Sequence, residues 1–173
     1  MPDLEHRLQL SGGNVKWVRH SGRIRYDGEG DPIEVNGAVQ DITEQKNAME
    51  KLEREKELSD KIINSLPISF FMFDQEQNFI RWNDYLRETT GYSDLEISYM
   101  SPLDFFPDKH HSRIQNAMQK VFEEGEASVQ ADFLTEDDTT IPYLYTATRF
   151  EGEQKTYLIG TGQDISKLQQ YQD

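Results

Sequence analysis

Two adjacent histidines, His110 and His111, form the one pair in the sequence from which a metal site could start. They fall in the charged first turn of a predicted helix, and this setting predicts side chains exposed to solvent. The remaining histidines, His6 and His20, lie in a different segment and have no ligand spacing with each other. We therefore expect no metal site.

Two acidic clusters, 123–126 and 136–138, supply the carboxylates that calcium prefers. Neither has the alternating ligands of a calcium-binding loop, so both are interpreted as solvated turns. The sequence contains no Ser-His-Asp arrangement, phosphate-binding glycine loop or metal-hydrolase motif. We expect no catalytic residues and no enzymatic activity.

The composition disfavours several classes of partner and chemistry. The 173 residues include 18 Lys and Arg against 32 Asp and Glu, a net charge of −14. This charge disfavours nucleic acid and anionic membrane surfaces, which both attract basic proteins. The sequence has no cysteine. Disulfides, thiolate catalysis, cysteine-ligated metals and photochemistry through a cysteinyl adduct are therefore excluded.

Hydropathy gives no sign of a membrane segment. The longest apolar run, 66–73, is interrupted by Pro67 and Ser69 and is far shorter than the ~20 residues that span a bilayer. No basic segment followed by an apolar stretch opens the sequence, so a signal peptide is not expected. We predict no membrane insertion and a cytoplasmic location.

Residues 1–40 have the pattern of three antiparallel strands joined by polar turns at 11–14 and 27–32. Such a sheet has one apolar face, and no other residue of this segment is available to cover it. That face is expected to include an alternating subset of Leu8, Leu10, Trp17, Ile24, Ile33, Val35 and Val39.

Residues 41–66 predict a long connector helix. No Gly or Pro occurs from Ile42 to Leu66, and good helix formers dominate. Apolar residues follow a heptad seam that Lys56 and Ser59 interrupt. The seam consists of Ile42, Met49, Leu52, Ile63 and Leu66. A solvated connector is one interpretation, and a helix that pairs with a second copy of itself is the favoured one.

Residues 67–166 predict a complete α+β unit. A strand hairpin is followed by short helices, a longer helix that begins at Pro107 and ends near Gly125, and three further strands. A motif near its end, 160–166, repeats an earlier one, 37–43, at an offset of 123 residues. Each copy ends a three-strand segment and begins a helix. Residues 1–40 therefore correspond to the last three strands of the same kind of module.

The order and spacing of these motifs resemble tandem PAS sensor domains of bacterial-type signalling proteins. The matching segments of the second module are 64–67, 79–83, 90–96, 106–108 and 162–166, and those of the first are 17–18, 27–33 and 37–44. The resemblance implies four parts. They are the C-terminal strands of a truncated PAS module at 1–40, a connector or signalling helix at 41–66, a complete PAS domain at 67–166, and the start of an output helix at 167–173.

The resemblance implies an α+β fold in which helices cover one face of a five-stranded antiparallel sheet. A three-stranded half-module and a long connector helix precede it. The space between sheet and helices often holds a ligand in this family, although a filled aromatic core is the alternative. The candidate cavity residues are Phe71, Phe73, Trp82, Ile114, Met118, Phe133, Tyr143, Tyr145 and Ile159. The candidate signal-transmission residues are Asp41, Ile42, Thr43, Asp164, Ile165 and Ser166.

Known PAS cofactors are not expected. Ile114 stands nearest the position of the axial histidine in haem-binding relatives, and the cysteine that forms a flavin adduct is missing. An unidentified small ligand remains open. The sequence thus predicts a sensory module for a small ligand or partner, which signals to an effector of the histidine kinase or diguanylate cyclase type. We expect a homodimer formed through residues 1–66. The alternative is a ligand-free structural dimerisation module.

Overall fold

The computed structural model of the protein describes residues 3–170 and divides into two units between Ser59 and Asp60. Its strands are β1 (Leu4–Gln9), β2 (Val15–Tyr26), β3 (Pro32–Asp41), β4 (Ser69–Asp74), β5 (Phe79–Trp82), β6 (Glu126–Leu134), β7 (Thr140–Glu151) and β8 (Thr156–Asp164). Its helices are α1 (Thr43–Asn64), α2 (Asp84–Thr90), α3 (Asp94–Tyr99), α4 (Asp108–Glu124) and α5 (Ser166–Gln170), with a 3-10 helix at Pro102–Phe105. Residues 171–173 of the expected output helix lie outside the described residues.

The first unit contains a three-stranded antiparallel sheet in the order β1-β2-β3. His20 on the middle strand pairs with Leu4 on one side and Val39 on the other, so these side chains share a face. Leu4 is 62% exposed and Val39 61% exposed, and Val35 on the same face is 70% exposed. One apolar face of this sheet therefore lies open within the unit, as the sequence pattern predicts.

Trp17 does not belong to that open face. It precedes the buried Val18 in β2, and alternation places neighbouring side chains on opposite faces of a strand. The indole ring instead lies 5.2 Å from the ammonium group of Lys46 and 5.9 Å from the guanidinium carbon of Arg7. Trp17 is therefore not a member of the alternating subset that forms the apolar face.

Helix α1 has no buried residue. Met49 and Leu52, which occupy seam positions, are 52% and 68% exposed. Ile42, the first seam residue, lies just before the helix and is buried in the first unit, at 2% exposure. The heptad pattern could not distinguish these two environments, because it records spacing alone. The seam open to solvent therefore begins at Met49.

The second unit contains a five-stranded antiparallel sheet in the order β5-β4-β8-β7-β6. Local signals fix the short helices that follow β5. The side chain of Asn83 caps α2, Gly91 ends it in the left-handed conformation at φ 86°, and Ser93 and Glu96 form a capping box on α3. Helix α4 presents Ile114 and Val121 to the sheet, where both are buried.

The core of this unit lies between the helices and one face of the sheet. It joins Leu86, Ile97 and Ile114 from the helices to Phe133 and Tyr143 from the strands. The sequence prediction of an α+β fold, with helices on one face of a five-stranded sheet and a separate three-stranded sheet, is confirmed. None of the helices within residues 3–170 has the length and apolar character needed to cross a membrane.

Candidate ligand cavity and signalling junctions

A cavity of about 70 Å³ lies between the sheet and the helices of the second unit. Its walls come from the five strands of the sheet on one side and from α2, α4 and the 3-10 helix on the other. Six of the residues proposed from the sequence line it, and they are Phe71, Phe73, Ile114, Met118, Phe133 and Tyr145. The structure therefore brings most of the proposed set together.

Three proposed cavity residues lie elsewhere. Ile159 is opposite Met72, whereas its neighbour Leu158 is opposite Phe73 and lines the cavity. Strand alternation thus places Ile159 on the other face of the sheet. Tyr143 is fully buried beside Phe133, with ring centroids 4.9 Å apart, but does not line the cavity.

Trp82 is the third proposed residue that lies outside the cavity. It packs against the edge of the core, where its ring meets Phe79 in a T-shaped contact at 6.2 Å. Its indole Nε1 donates a hydrogen bond to Asp94 at 2.8 Å. This polar atom holds the side chain at the periphery, because a buried indole N–H needs an acceptor. Trp82, Tyr143 and Ile159 are therefore corrections to the proposed ligand-binding set.

The sheet side of the cavity depends on two glycines. Gly160 lies opposite Phe71, whose ring occupies the space in which a side chain at residue 160 would lie. Gly162 lies opposite both Ser69 and Tyr145, and the Tyr145 ring covers it. Rings from the flanking strands thus extend over β8, the central strand. Sequence reasoning gave these glycines no such role.

Burial affects both tyrosines at this face. It raises the pKa of Tyr143 to about 12 and raises the pKa of Tyr145 well above its ordinary range. Both phenols are therefore neutral at physiological pH. The hydroxyl of Tyr145 makes no hydrogen bond with any described residue. The hydroxyl of Ser69, which also lines the cavity, lies near the Tyr143 phenol but makes no hydrogen bond of good geometry with a described residue.

The paired histidines are less exposed than predicted. The side chain of His110 is only 14% exposed, and its Nε2 lies 3.1 Å from Asp132 on β6. The Nε2 of His111 lies 2.9 Å from the carbonyl oxygen of Phe106. The prediction of solvent-facing histidines is therefore wrong for His110, because α4 turns it toward the sheet. Across residues 3–170, no group of three or more His, Asp or Glu side chains is arranged to hold a metal ion.

The junction after β8 is fixed by a small hydrogen-bonded turn. Asp164 Oδ1 accepts hydrogen bonds from the backbone N–H of Ser166 at 2.7 Å and from its hydroxyl at 2.6 Å. Between them, Ile165 is 5% exposed, and its backbone N–H donates to the carbonyl of Pro142 on β7 at 2.9 Å. The proposed transmission residues thus form one unit that connects β7 to the start of α5.

The junction after β3 has the same geometry. Asp41 Oδ1 accepts from the backbone N–H of Thr43 at 3.0 Å and from its hydroxyl at 2.6 Å. Ile42 is buried, and its N–H donates to the carbonyl of Trp17 on β2 at 2.8 Å. Hydrogen bonds from Lys16 and Thr43 hold the pKa of Asp41 well below its usual range. The sequence repeat is therefore also a structural repeat.

Comparison with known proteins agrees with this architecture. The family described as "PAS fold" matches residues 63–170, which is more than half of the chain. The chain belongs to the PAS family. A search of curated proteins finds no significant match.

Solved PAS domains have the same fold. The PAS domain of an HTR-like protein from Haloarcula marismortui is 16% identical, with a TM-score of 0.62, and the match covers 69% of this chain and 99% of that one. The PAS domain of a protein from Colwellia psychrerythraea is 17% identical, with a TM-score of 0.59 and coverage of 64% and 97%.

A third structure is a domain of a sensory box sensor histidine kinase/response regulator from Geobacter sulfurreducens. It is 11% identical, with a TM-score of 0.56, and the match covers 65% of this chain and 96% of that one. At these identities the likeness concerns the fold.

Asn83 connects the PAS domain to the end of the connector helix. It is 1% exposed and uses its whole amide group. Its oxygen accepts hydrogen bonds from the backbone N–H groups of Phe70 at 2.9 Å and Leu86 at 3.0 Å. Its nitrogen donates to the carbonyls of Ile63 at 3.0 Å and Ile68 at 2.9 Å. The capping of α2 by Asn83 is a local contact, whereas its contacts with Ile63 and Ile68 depend on the tertiary fold.

Asp74 is a buried carboxylate that the sequence analysis did not single out. Its side chain is 3% exposed and lies 3.1 Å from the ammonium group of Lys155. Burial opposes its ionisation, but hydrogen bonds from the Asn78 backbone and from Lys155 outweigh burial and lower its pKa. This ion pair joins the end of β4 in the PAS domain to the loop before β8.

Proposed function

We propose that the chain is a sensory module that detects a small ligand or partner and transmits the change through the Asp164-Ile165-Ser166 junction. PAS domains are generally sensory, non-catalytic modules, and the match at residues 63–170 supports this role. The observation that carries the proposal is that the cavity and the junction share a strand. Tyr145 lines the cavity on the same strand, β7, whose Pro142 accepts the hydrogen bond from Ile165.

The shared strands give a physical route for the signal. Leu158 lines the cavity on β8, and the same strand ends at Asp164. A ligand that moves the helix side of the cavity against β7 and β8 changes the position of both ends of the junction. Transmission then requires two packing states with different affinity for the ligand. The output is the helix that begins at Ser166.

The four-part organisation belongs to the same proposal. Residues 67–166 form the sensing domain, 41–66 the connector helix, 1–40 the strands of a truncated PAS module, and 167–173 the start of the output helix. The effector is of the histidine kinase or diguanylate cyclase type. Because such effectors consume a nucleoside triphosphate, we place the module in the cytoplasm.

Cavity filling tests the proposed coupling. Ala117 lines the cavity from α4, and the substitution Ala117→Leu adds a branched side chain to that space. We expect the hydrogen-exchange rate of the Ile165 amide to change by about tenfold, since the filled cavity shifts the equilibrium of the junction. Ala48→Leu on the exposed part of α1 is the matched control and leaves that rate unchanged.

The same experiment separates the sensory role from the alternative of a ligand-free dimerisation module. In the alternative, the cavity is a packing defect, so Ala117→Leu alters stability without changing exchange at Ile165. Equal exchange rates in the wild type and the filled variant, at equal global stability, would contradict signal transmission through this junction.

We further propose that residues 1–66 form a homodimer interface with a second copy of the chain. The support is the exposed apolar character of two consecutive elements in one unit, the β1–β3 face and the seam at Met49 and Leu52. In the second unit, β8 pairs with β4 on the side away from β7, and helices cover the sheet. In the first sheet, β3 has no such further strand among the described residues. Leu4, Val35 and Val39 on its apolar face are each more than half exposed, although Val18 on the same face is buried.

A further inference from the structure

The cavity wall is almost entirely apolar but contains two hydroxyl groups. Its ring side chains come from Phe71, Phe73, Phe79, Phe105, Phe106, Phe133 and Tyr145. The hydroxyls belong to Ser69, which is 1% exposed, and to Tyr145, which is 7% exposed. Small-molecule sites in proteins combine a mostly apolar wall with a few polar groups that orient the ligand.

These two hydroxyls belong to one row of the sheet. Ser69 on β4 and Tyr145 on β7 both pair with Gly162 on the strand between them. A methyl group on Gly162 would lie 2.8 Å from a Tyr145 ring carbon, so the ring lies over the glycine. Because Gly162 has no side chain, no side chain of β8 lies between Ser69 and Tyr145 on this face of the sheet.

The Tyr145 hydroxyl has no hydrogen-bond partner within the described part of the chain. The Ser69 hydroxyl makes no hydrogen bond of good geometry there either, although it lies close enough to the Tyr143 phenol to lower the pKa of that group. Buried hydroxyls without a partner are rare in folded proteins because the lost hydration is not replaced. An apolar cavity of this size does not hold water readily, since a buried water needs several polar partners. A ligand oxygen placed in the cavity would supply the missing partner.

The charges around the cavity restrict the ligand further. None of the described residues that line the cavity is Lys, Arg, His, Asp or Glu. A carboxylate or an ammonium group would be buried there without a counter-charge, at a high desolvation cost. Burial also raises the pKa of Tyr145, which keeps this phenol neutral. The site therefore favours a neutral ligand.

Size sets the last restriction. The 70 Å³ cavity exceeds the ~10–15 Å³ that one water needs and is smaller than the ~150 Å³ cavity that binds benzene in an engineered protein. Met118 forms part of the wall, and methionine side chains adapt easily to a new shape. A ligand with a single ring fits after a small movement of that wall.

We infer that the cavity binds a small neutral molecule with an apolar body and one hydroxyl group, held through the hydroxyls of Tyr145 and Ser69. This inference rests on the proposed sensory function and names the chemistry of its ligand. The ring walls favour an aromatic body, because aromatic pairs gain from edge and offset contacts. Phenol is the smallest probe with these properties.

The test compares phenol with toluene, which has the same shape but a methyl group in place of the hydroxyl. Binding to the full chain is measured by calorimetry and by the shift in melting temperature. We expect Tyr145→Phe to weaken phenol binding by about fivefold or more, the value of one hydrogen bond. Toluene binding stays equal or becomes tighter, because the variant removes an unpaired hydroxyl. Ser69→Ala gives the same pattern.

Benzoate serves as the charged probe and is expected not to bind. Near-ultraviolet circular dichroism checks that each variant keeps its aromatic packing. The inference is overturned if phenol fails to bind the wild type. The inference is also overturned if benzoate binds as tightly as phenol. The same holds if Tyr145→Phe weakens the binding of phenol and of toluene equally.

The ligand inference and the sensory function fail in different ways. Suppose that toluene binds and changes the hydrogen-exchange rate of the Ile165 amide, while Tyr145→Phe and Ser69→Ala change the binding of phenol and toluene equally. The proposed ligand chemistry is then wrong and the sensory function stands. If phenol binds as expected but exchange at Ile165 does not respond, the site is correct and the coupling to the junction is wrong.

Discussion

Gly160 lies directly opposite Phe71 in the β4–β8 pair, and a methyl group on Gly160 would overlap the Phe71 ring. The ring therefore lies across the backbone of the central strand, toward the cavity that both Phe71 and Leu158 line. No real side-chain carbon comes this close to another atom, so a residue larger than glycine forces the ring to move.

We expect Gly160→Ala to destabilise the second unit by about 1–3 kcal/mol, the usual cost of overpacking a core. Chemical denaturation followed by tryptophan fluorescence measures the change. Gly28→Ala is the control, because a methyl group at Gly28 meets no atom within 4 Å. Combining Gly160→Ala with Phe71→Ala should cost less than the sum of the two single changes. Additive costs would show that the contact does not limit the substitution.

Asn83 should be among the least replaceable residues of the PAS domain. Asn83→Ala removes four hydrogen bonds and leaves the N–H groups of Phe70 and Leu86 and the carbonyl of Ile68 without this partner. We expect a loss of about 2–4 kcal/mol in the free energy of unfolding. Asn64→Ala is the matched control, since its exposed side chain accepts one bond from the Asp84 N–H. A loss no larger than that of the control would contradict the central role of Asn83.

The sequence predicts the elements of this fold well because their boundaries are local. The Asn83 cap, the Gly91 stop and the Ser93 capping box each depend on contacts within a few residues. The repeat of Asp41 and Asp164 is also visible in the sequence, and both junctions form the same turn. These features need no knowledge of tertiary packing.

The cavity was harder to predict, because its lining depends on register and on partners far away in the sequence. Alternation shows that Leu158 and Ile159 face opposite ways, but not which of them faces the helices. That choice follows from the pairing of Phe71 with Gly160. The position of Trp82 depends on the acceptor at Asp94. The heptad pattern likewise could not separate the buried Ile42 from the exposed Met49.

The stability of the second unit should fall at acidic pH partly through Asp74. The pKa of Asp74 is lowered in the folded protein. Its ionised form therefore stabilises the fold at pH values above the pKa of an unfolded aspartate, ~3.9. This contribution is lost as the pH falls through the pKa of the folded protein. We expect Asp74→Asn to cost about 1–3 kcal/mol at pH 6, because it breaks a buried, hydrogen-bonded carboxylate.

The difference between the wild type and Asp74→Asn should shrink as the pH falls below the unfolded pKa, because the wild-type carboxyl becomes protonated too. Urea denaturation at a series of pH values from 6 down to 2 measures it. Glu76→Gln is the control, since Glu76 also contacts Lys155, at 3.3 Å, but is 64% exposed. A difference that stays constant over this range would mean that ionisation of Asp74 does not stabilise the fold.

The exposed seam of α1 gives the sharpest test of the proposed homodimer. Met49 and Leu52 lie on one side of the helix, and in a paired helix both would be buried against the partner. Leu52→Lys places a charge in that seam and forfeits burial worth about 1.5–3 kcal/mol per side chain. Since each dimer contains two copies of the change, we expect its dissociation constant to rise by at least about a hundredfold.

Leu58→Lys is the matched control for the seam. Leu58 is exposed to a similar extent as Leu52, 59% against 68%, but lies off the heptad positions of the seam. Both variants add one positive charge to a chain of net charge −14, so a general electrostatic effect would change both alike. Sedimentation equilibrium across a range of concentrations measures the mass. Weaker association in Leu52→Lys alone supports pairing through the seam. An equal shift in both variants, or a wild-type chain that stays monomeric at high concentration, would contradict the proposal that residues 1–66 pair with a second copy.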